Sequence, residues 1–343
     1  MHESSQMDIK KIANALLATL KFKQDYDEQS GLRKRILLVE GRTDQAFFKR
    51  IARNDARYIC VSDFIGGHMS VETSKPPPLQ WVNNKDVIVK LIKNFLIPGP
   101  LGLPTTASSW PLYGLIDSDF DLDYHYSRYN KLFFTGTHDI ETLMMSTDKG
   151  LLLRLPDCTI HAEEVMRALY IAAQLSVFRQ VIYKNDSFRQ LNVTDSEGVV
   201  NYSAFTSDGR ISFHLLLDYI NKNSERPLSK EKMKKIKDKI SIENKKSIDK
   251  EGFWKKSYEA FSSNVDNDFW RTVNGHDILS AIRYLNHSAQ ERFTNNAGYR
   301  VNRDFELALS NEYDYTCFVS TDLYSHLIST ELILPCEPKV TPA

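Results

Sequence analysis

Glu40, Asp117 and Asp119 are the residues of this chain whose types and spacing best suit chemistry. Asp117 and Asp119 form a D-x-D within LYGLIDSDFD (112–121), and Asp121 follows as a further acid. Glu40 stands in RKRILLVEGRTDQAFFKR (33–50), where Thr43-Asp44 follows it closely. Grouped carboxylates are hard oxygen ligands of the kind Mg²⁺ or Mn²⁺ prefers. A divalent ion held this way polarises a phosphoryl oxygen, activates a water and stabilises a leaving alkoxide. Two ions about 4 Å apart serve both ends of the displacement. Glu40 either completes the shell or acts as general acid/base. A D-x-D alone is equally the acidic turn of a solvated strand end. Its combination with the Val39-Glu40-Gly41 turn makes the cluster worth pursuing.

Short apolar strands must position these acids. Ile36-Leu37-Leu38-Val39 reads as a buried strand, Glu40-Gly41 as a tight turn, and 43–53 as a helix with Phe47, Phe48 and Ile51 on one face. Tyr58–Phe64 reads as a second strand running to Gly66-Gly67. A long loop over 68–84, centred on Pro76-Pro77-Pro78, leads to a helix over 84–96 with Val87, Ile88, Leu91, Ile92 and Phe95 on one face. Prolines at 98, 100 and 104 carry the chain into a third strand at 112–117, and 131–135 reads as a fourth. Strands alternating with helices indicate an α/β domain with a mostly parallel sheet. Ligands of such sheets collect at the carboxyl ends of strands, where Glu40 and the D-x-D fall.

From about residue 151 the pattern turns helical, over 161–183, 211–221, 230–246, 277–285 and 304–309. An amphipathic helix over 8–22 precedes the first strand. The expected division is therefore 1–32 as helix and linker, 33–150 as the α/β domain and 151–343 as a mainly helical domain. At 343 residues, with 42% hydrophobic and 26% charged residues, the chain reads as globular. Lys+Arg and Asp+Glu are equal at 44, so overall charge favours no class of partner.

Cys60, Cys158, Cys317 and Cys336 are too scattered for a zinc module or a disulfide framework. No Walker A loop or G-x-S-x-G elbow appears. A polar Met1–Lys11 predicts no signal peptide, and no apolar run approaches the ~20 residues of a membrane span, so the expected location is cytoplasmic with no membrane partner.

Residues 230–250 carry nine lysines against four acids. Lys232, Lys234, Lys235 and Lys239 are candidates for phosphate contacts on a nucleic acid. The competing reading is a solvated helix face with Met233, Ile236 and Ile240 turned inward, and the two can coexist. Past the fourth strand, His138, Asp139 and Glu141 could join the acid cluster, Glu141 as a ligand and His138 as a proton carrier. Equally, Thr137 and Asp139 are good helix caps and Glu141 suits a first turn. His276-Asp277, after Asn274-Gly275, reads as a cap and packing feature.

VEGRTDQAFF followed by LIDSDFD resembles the Toprim domain of topoisomerases, primases and OLD-type nucleases. That resemblance implies a Rossmann-like, mostly parallel sheet with flanking helices, in which Glu40, Asp117 and Asp119 gather Mg²⁺ (Mn²⁺ as substitute). Asp44 and Asp121 are auxiliaries, and Arg42 is a candidate for the scissile phosphate or simply an exposed turn residue. The motifs Thr137–Glu141, Asn274–Leu279 and Thr321–Tyr324 extend the likeness to a bacterial family that includes the Toprim effectors of PARIS-type anti-phage systems. It implies a toxic endonuclease held by a partner ABC-type ATPase, released on sensing a phage protein, and cutting tRNA or DNA, with a homodimer as a form compatible with activity. The 77 residues between Glu40 and Asp117 are long for a Toprim unit, and the two proline-rich segments account for the excess. A non-catalytic adaptor that binds the ATPase or nucleic acid is the alternative. A topoisomerase lacks its tyrosine setting here, a primase its zinc module, and a sugar-nucleotide transferase is the remote third reading.

Overall fold

The computed structural model describes residues 18, 35–51, 56–62, 84–96, 112–118, 131–155, 158–183, 201–207, 210–223, 227–247, 267–289 and 300–335. Apart from Ala18, the expected helix over 8–22 lies outside them, as do Gly66-Gly67, the Pro76–Pro78 segment, the prolines at 98–104, Asp119, Asp121 and Cys336.

The chain divides into two compact units: Met1–Gly136 together with Tyr315–Ala343, and Thr137–Asp314. The sequence boundary at 150/151 rested on the change from strands to helices. The units divide instead where the fourth strand ends, and residues from Tyr315 onward return to the first unit.

The first unit is built on a four-stranded parallel sheet. Its elements are β1 (Arg35–Val39), α1 (Arg42–Arg50), β2 (Ala56–Cys60), α2 (Asn84–Leu96), β3 (Leu112–Ile116) and β4 (Leu132–Phe134). The strand order is β2-β1-β3-β4, and each neighbouring pair is parallel. Ile36, Leu37, Leu38 and Val39 are all buried, a continuous apolar run because this central strand is covered on both faces. The second strand is shorter than the apolar pattern suggests. It ends at Cys60, and Val61-Ser62 are already helical. Gly114 lets α2 lie close on β3, since a Cβ there would stand 2.5 Å from Ile88 Cγ2.

The chain from Tyr315 closes this unit. Phe47 and Phe48 are fully buried and meet Phe318 edge-on at 5.3 and 6.4 Å, while Phe48 stacks on Tyr58 at 6.2 Å. The Tyr58 hydroxyl donates to the Leu332 carbonyl, Leu334 N–H donates to the Ile51 carbonyl at 3.3 Å, and His326 stacks on Phe133 at 6.3 Å.

The second unit is helical. It comprises α3 (Ile140–Thr147), α4 (Ala162–Tyr183), the two-residue strands β5 (Thr206–Ser207) and β6 (Arg210–Ile211), α5 (Phe213–Asn223), α6 (Lys230–Ser247), α7 (Asn267–Thr272), α8 (Gly275–Leu285) and α9 (Arg300–Glu312). Helix α4 is apolar around much of its circumference, and its buried Ala168, Ala172 and Ala173 give α8 room to pack Ile278, Leu279 and Ile282. In α6, Met233 and Ile236 are buried while Lys232, Lys234 and Lys235 are exposed, so the apolar stripe and the basic face share one helix. The Lys239 side chain lies outside the described residues. No described helix is long and apolar enough to cross a membrane. The final helix, α10 (Asp322–Ser329), belongs to the first unit and is N-capped by Thr321, whose hydroxyl accepts from Tyr324 N–H at 3.1 Å.

Candidate metal centre

The strand order creates a switch point between β1 and β3, because the chain leaves β1 towards β2 on one side and returns to add β3 on the other. At such a point the loops after the two strands diverge and leave a crevice at their carboxyl ends. Glu40 follows β1 and Asp117 follows β3, so both acids stand at this location. Asp117 N–H donates to Glu40 Oε1 at 2.9 Å, joining the two strand ends directly. Both residues are half-buried, which suits groups that must be held yet reached.

Neighbouring polar groups fasten this pair. Asn84 Nδ2 donates to the Glu40 carbonyl at 3.1 Å, and the buried Lys85 ammonium donates to the Asp117 carbonyl at 3.0 Å. Ser118 N–H donates to Thr135 Oγ1 at 3.3 Å, which ties the residue inside the D-x-D to the end of β4. Asp44 is buried and accepts from Gly41 N–H at 2.8 Å, capping the first turn of α1. That bond holds the turn in which Glu40 sits. Arg42 is exposed at the start of α1. Asp119 and Asp121 lie outside the described residues. The sequence pattern singles out Glu40 and Asp117, which the structure brings together, and gives no role to Asn84 or Lys85. The available signal was two polar residues opening the helix expected over 84–96.

The second unit assembles a different set of acids. Asp139 is the N-cap of α3, accepting from Thr142 N–H at 2.9 Å and from Gly275 N–H at 2.7 Å. Its Oδ2 lies 3.1 Å from His138 Nδ1. Desolvation opposes ionisation here, yet the hydrogen bond and charge of His138, the charge of His276 and the Thr142 N–H together hold the carboxyl down to about 2. The capping alternative therefore describes Asp139. Glu141 and Glu306 are buried and share a cluster with His276, their ligating atoms all within 4.8 Å of one another. His276 Nδ1 is 2.7 Å from Glu306 Oε1.

Against the cost of desolvation, the charges of Glu306 and Glu141, the hydrogen bond to Glu306 and the charge of Asp139 raise the His276 pKa well above its ordinary value. The ring is half exposed, so solvent damps these effects. Two carboxylates and an imidazole can ligate a transition ion, and a protonated His276 can equally satisfy both carboxylates. His276 also opens α8, whose cap is Asn274, accepting from Asp277 N–H at 3.1 Å. Asp277 forms a bidentate pair with Arg179, both contacts at 2.7 Å. Sequence reasoning did not single out Glu306 or Arg179, because their partners lie far away along the chain.

No protein-family model matches the chain, and no curated protein matches it. The fold is α/β with a four-stranded parallel sheet, and its candidate centre is the acid pair at the switch point.

Proposed function

We propose that this chain is a metal-dependent endonuclease of the Toprim type, cutting RNA or DNA as the toxic effector of a phage-defence system. The observation that carries the reading is the pairing of Glu40 and Asp117 at the carboxyl ends of adjacent parallel strands. The donor chemistry fits a divalent cation: two half-buried carboxylates on joined strand ends offer hard oxygens that solvent can reach. Glu40 and Asp117, with Asp119 of the same D-x-D, would hold Mg²⁺ or Mn²⁺. When bound, such an ion supplies charge for the phosphoryl group and a water of lowered pKa. Glu40 would either ligate the ion or act as general acid/base, and its carboxylate is oriented by the Asp117 N–H. Asp44 keeps the turn beneath it in place.

The exposed lysines of α6 supply phosphate contacts for the substrate backbone, with tRNA as the preferred substrate and DNA the second. An ABC-type ATPase is the partner proposed to restrain the enzyme. The test is incubation of purified protein with total tRNA and with plasmid, in Mg²⁺, Mn²⁺ or EDTA. Cleavage that requires the ion and disappears in Glu40→Ala supports the reading. Cleavage by Glu40→Ala with unchanged metal dependence overturns it. A chain that binds Mn²⁺ and an ATPase partner yet never cuts is the adaptor instead.

A further inference from the structure

Asn84 and Lys85, the first two residues of α2, each donate to the backbone of an acid-bearing strand end. Asn84 takes the Glu40 carbonyl and Lys85 the Asp117 carbonyl. The paired residues of β1 and β3 run from Ile36 with Leu112 to Leu38 with Gly114, so both acids lie beyond the ladder. There the separation of the two chains is set by side chains. Asp117 is gripped on both sides of its Cα: its N–H by Glu40 and its carbonyl by Lys85.

Lys85 is an unfavourable choice by local rules. It is 5% exposed, and an ammonium resists removal from water. It also stands in the first turn of a helix, where the backbone dipole favours anions. An unbranched apolar side chain would fill similar space without either cost. Residues that contradict their local environment while joining functional groups are where structure serves activity rather than stability.

We propose that Asn84 and Lys85 form a clamp that sets the spacing of Glu40 and Asp117, with Lys85 a positioning residue for the metal ligands. The inference rests on the metal-site reading above. Lys85 acts by holding the Asp117 carbonyl. Partners of this outer kind change metal affinity by about 10–100-fold when removed.

Mn²⁺ binding to the full chain, followed by the electron paramagnetic resonance of the free ion, tests both ideas separately. Wild type should bind Mn²⁺ and Glu40→Ala should not. Lys85→Met should weaken binding by about tenfold or more, and Lys85→Arg, which keeps the charge and donors, should stay within about threefold of wild type. If wild type binds no Mn²⁺, the metal-site reading fails and the clamp falls with it. If Glu40→Ala binds as wild type does, the ion lies elsewhere and both the metal-site reading and the clamp fail. If Glu40→Ala loses binding and Lys85→Met binds as well as wild type or more tightly, the metal site stands and the clamp is overturned. Circular dichroism is recorded for each variant. Should Lys85→Met fail to fold, Asn84→Ala decides: weaker binding, by about threefold or more, supports the clamp, and unchanged binding overturns it.

Discussion

The acids at the strand ends of the first unit and those at the helix ends of the second use the same residue types for opposite ends. Asp139, Glu141, Asp277 and Glu306 are each at least nine-tenths buried, and imidazole, guanidinium or N–H groups surround them. Such carboxylates hold helices together, because a buried charge without its partner is severely penalised. Glu40 and Asp117 are only half-buried, and they are steadied mainly through their backbones. Their main chains are fixed by side chains from the start of α2, and the Glu40 carboxylate takes the Asp117 N–H, so both acids are held at a place that solvent reaches. Burial and mode of attachment, more than the number of acids, separate a structural cluster from a candidate centre.

The largest expected effect lies on the structural side. Asp277→Ala strips Arg179 of its bidentate partner and should cost about 3–5 kcal/mol of stability in thermal or urea unfolding. A loss under 1 kcal/mol would show that this buried pair does not hold the helices together. On the other side, Glu40→Ala should lower the proposed metal-dependent cleavage by at least about 10²-fold while costing only about 0.5–1.5 kcal/mol of stability in metal-free buffer, for the lost bond to the Asp117 N–H. Mn²⁺ at a hundredfold excess over its Kd should stabilise wild type by about 2.7 kcal/mol and Glu40→Ala not at all. Should Glu306→Gln abolish that stabilisation while Glu40→Ala keeps it, the ion belongs to the second unit and the comparison inverts.

Gly275→Ala is expected to cost about 1–3 kcal/mol. Its Cβ would stand 2.5 Å from Asp139 Oδ1 and 2.6 Å from Glu141 Cβ. A melt indistinguishable from wild type would show that this junction yields freely.

Two pH limbs follow from the same cluster. The folded-state pKa of His276 is raised, so its contribution to stability is fully present below the ordinary histidine value and is lost as pH climbs through the folded value. Asp139 is depressed to about 2, so its contribution is present above the ordinary aspartate value of 3.8 and fades as pH falls towards 2. The stability gap between wild type and His276→Gln should therefore be full below the ordinary histidine value and shrink as pH climbs, because only wild type loses that contribution. An unchanged alkaline slope in the variant would show that His276 does not cause it. The smallest effect belongs to α6. Neutralising Lys232, Lys234 and Lys235 singly should lower the salt slope of nucleic-acid binding by about one each. No change in slope would confine that helix to a solvated role.

Much of the first unit was legible because its signals are local. The apolar runs at 36–39 and 112–116, the glycine turn after Glu40 and the helix at 84–96 each declare themselves within a few residues. Strand ends blurred where apolar residues continue past the ladder, as at Val61. The Asn84-Lys85 contacts were invisible because they join a helix start to strand ends as far as 44 residues away. The return of the chain from Tyr315 was hidden for the same reason, since Phe318 and Leu332 look like any helix-domain apolar residues until paired with Phe48 and Tyr58. Capping at Asp139 was readable, and its reach to Gly275 was not.

That return has a consequence for the order of synthesis. Phe47, Phe48 and Tyr58 emerge early from a ribosome, but Phe318 and Leu332, which cover them, follow only after the whole of Thr137–Asp314. Until then, Phe47, Phe48 and Tyr58 lack the partners that cover them. A nascent chain that has completed its sheet has therefore not completed its first unit, which closes only when the last segment of the described chain emerges.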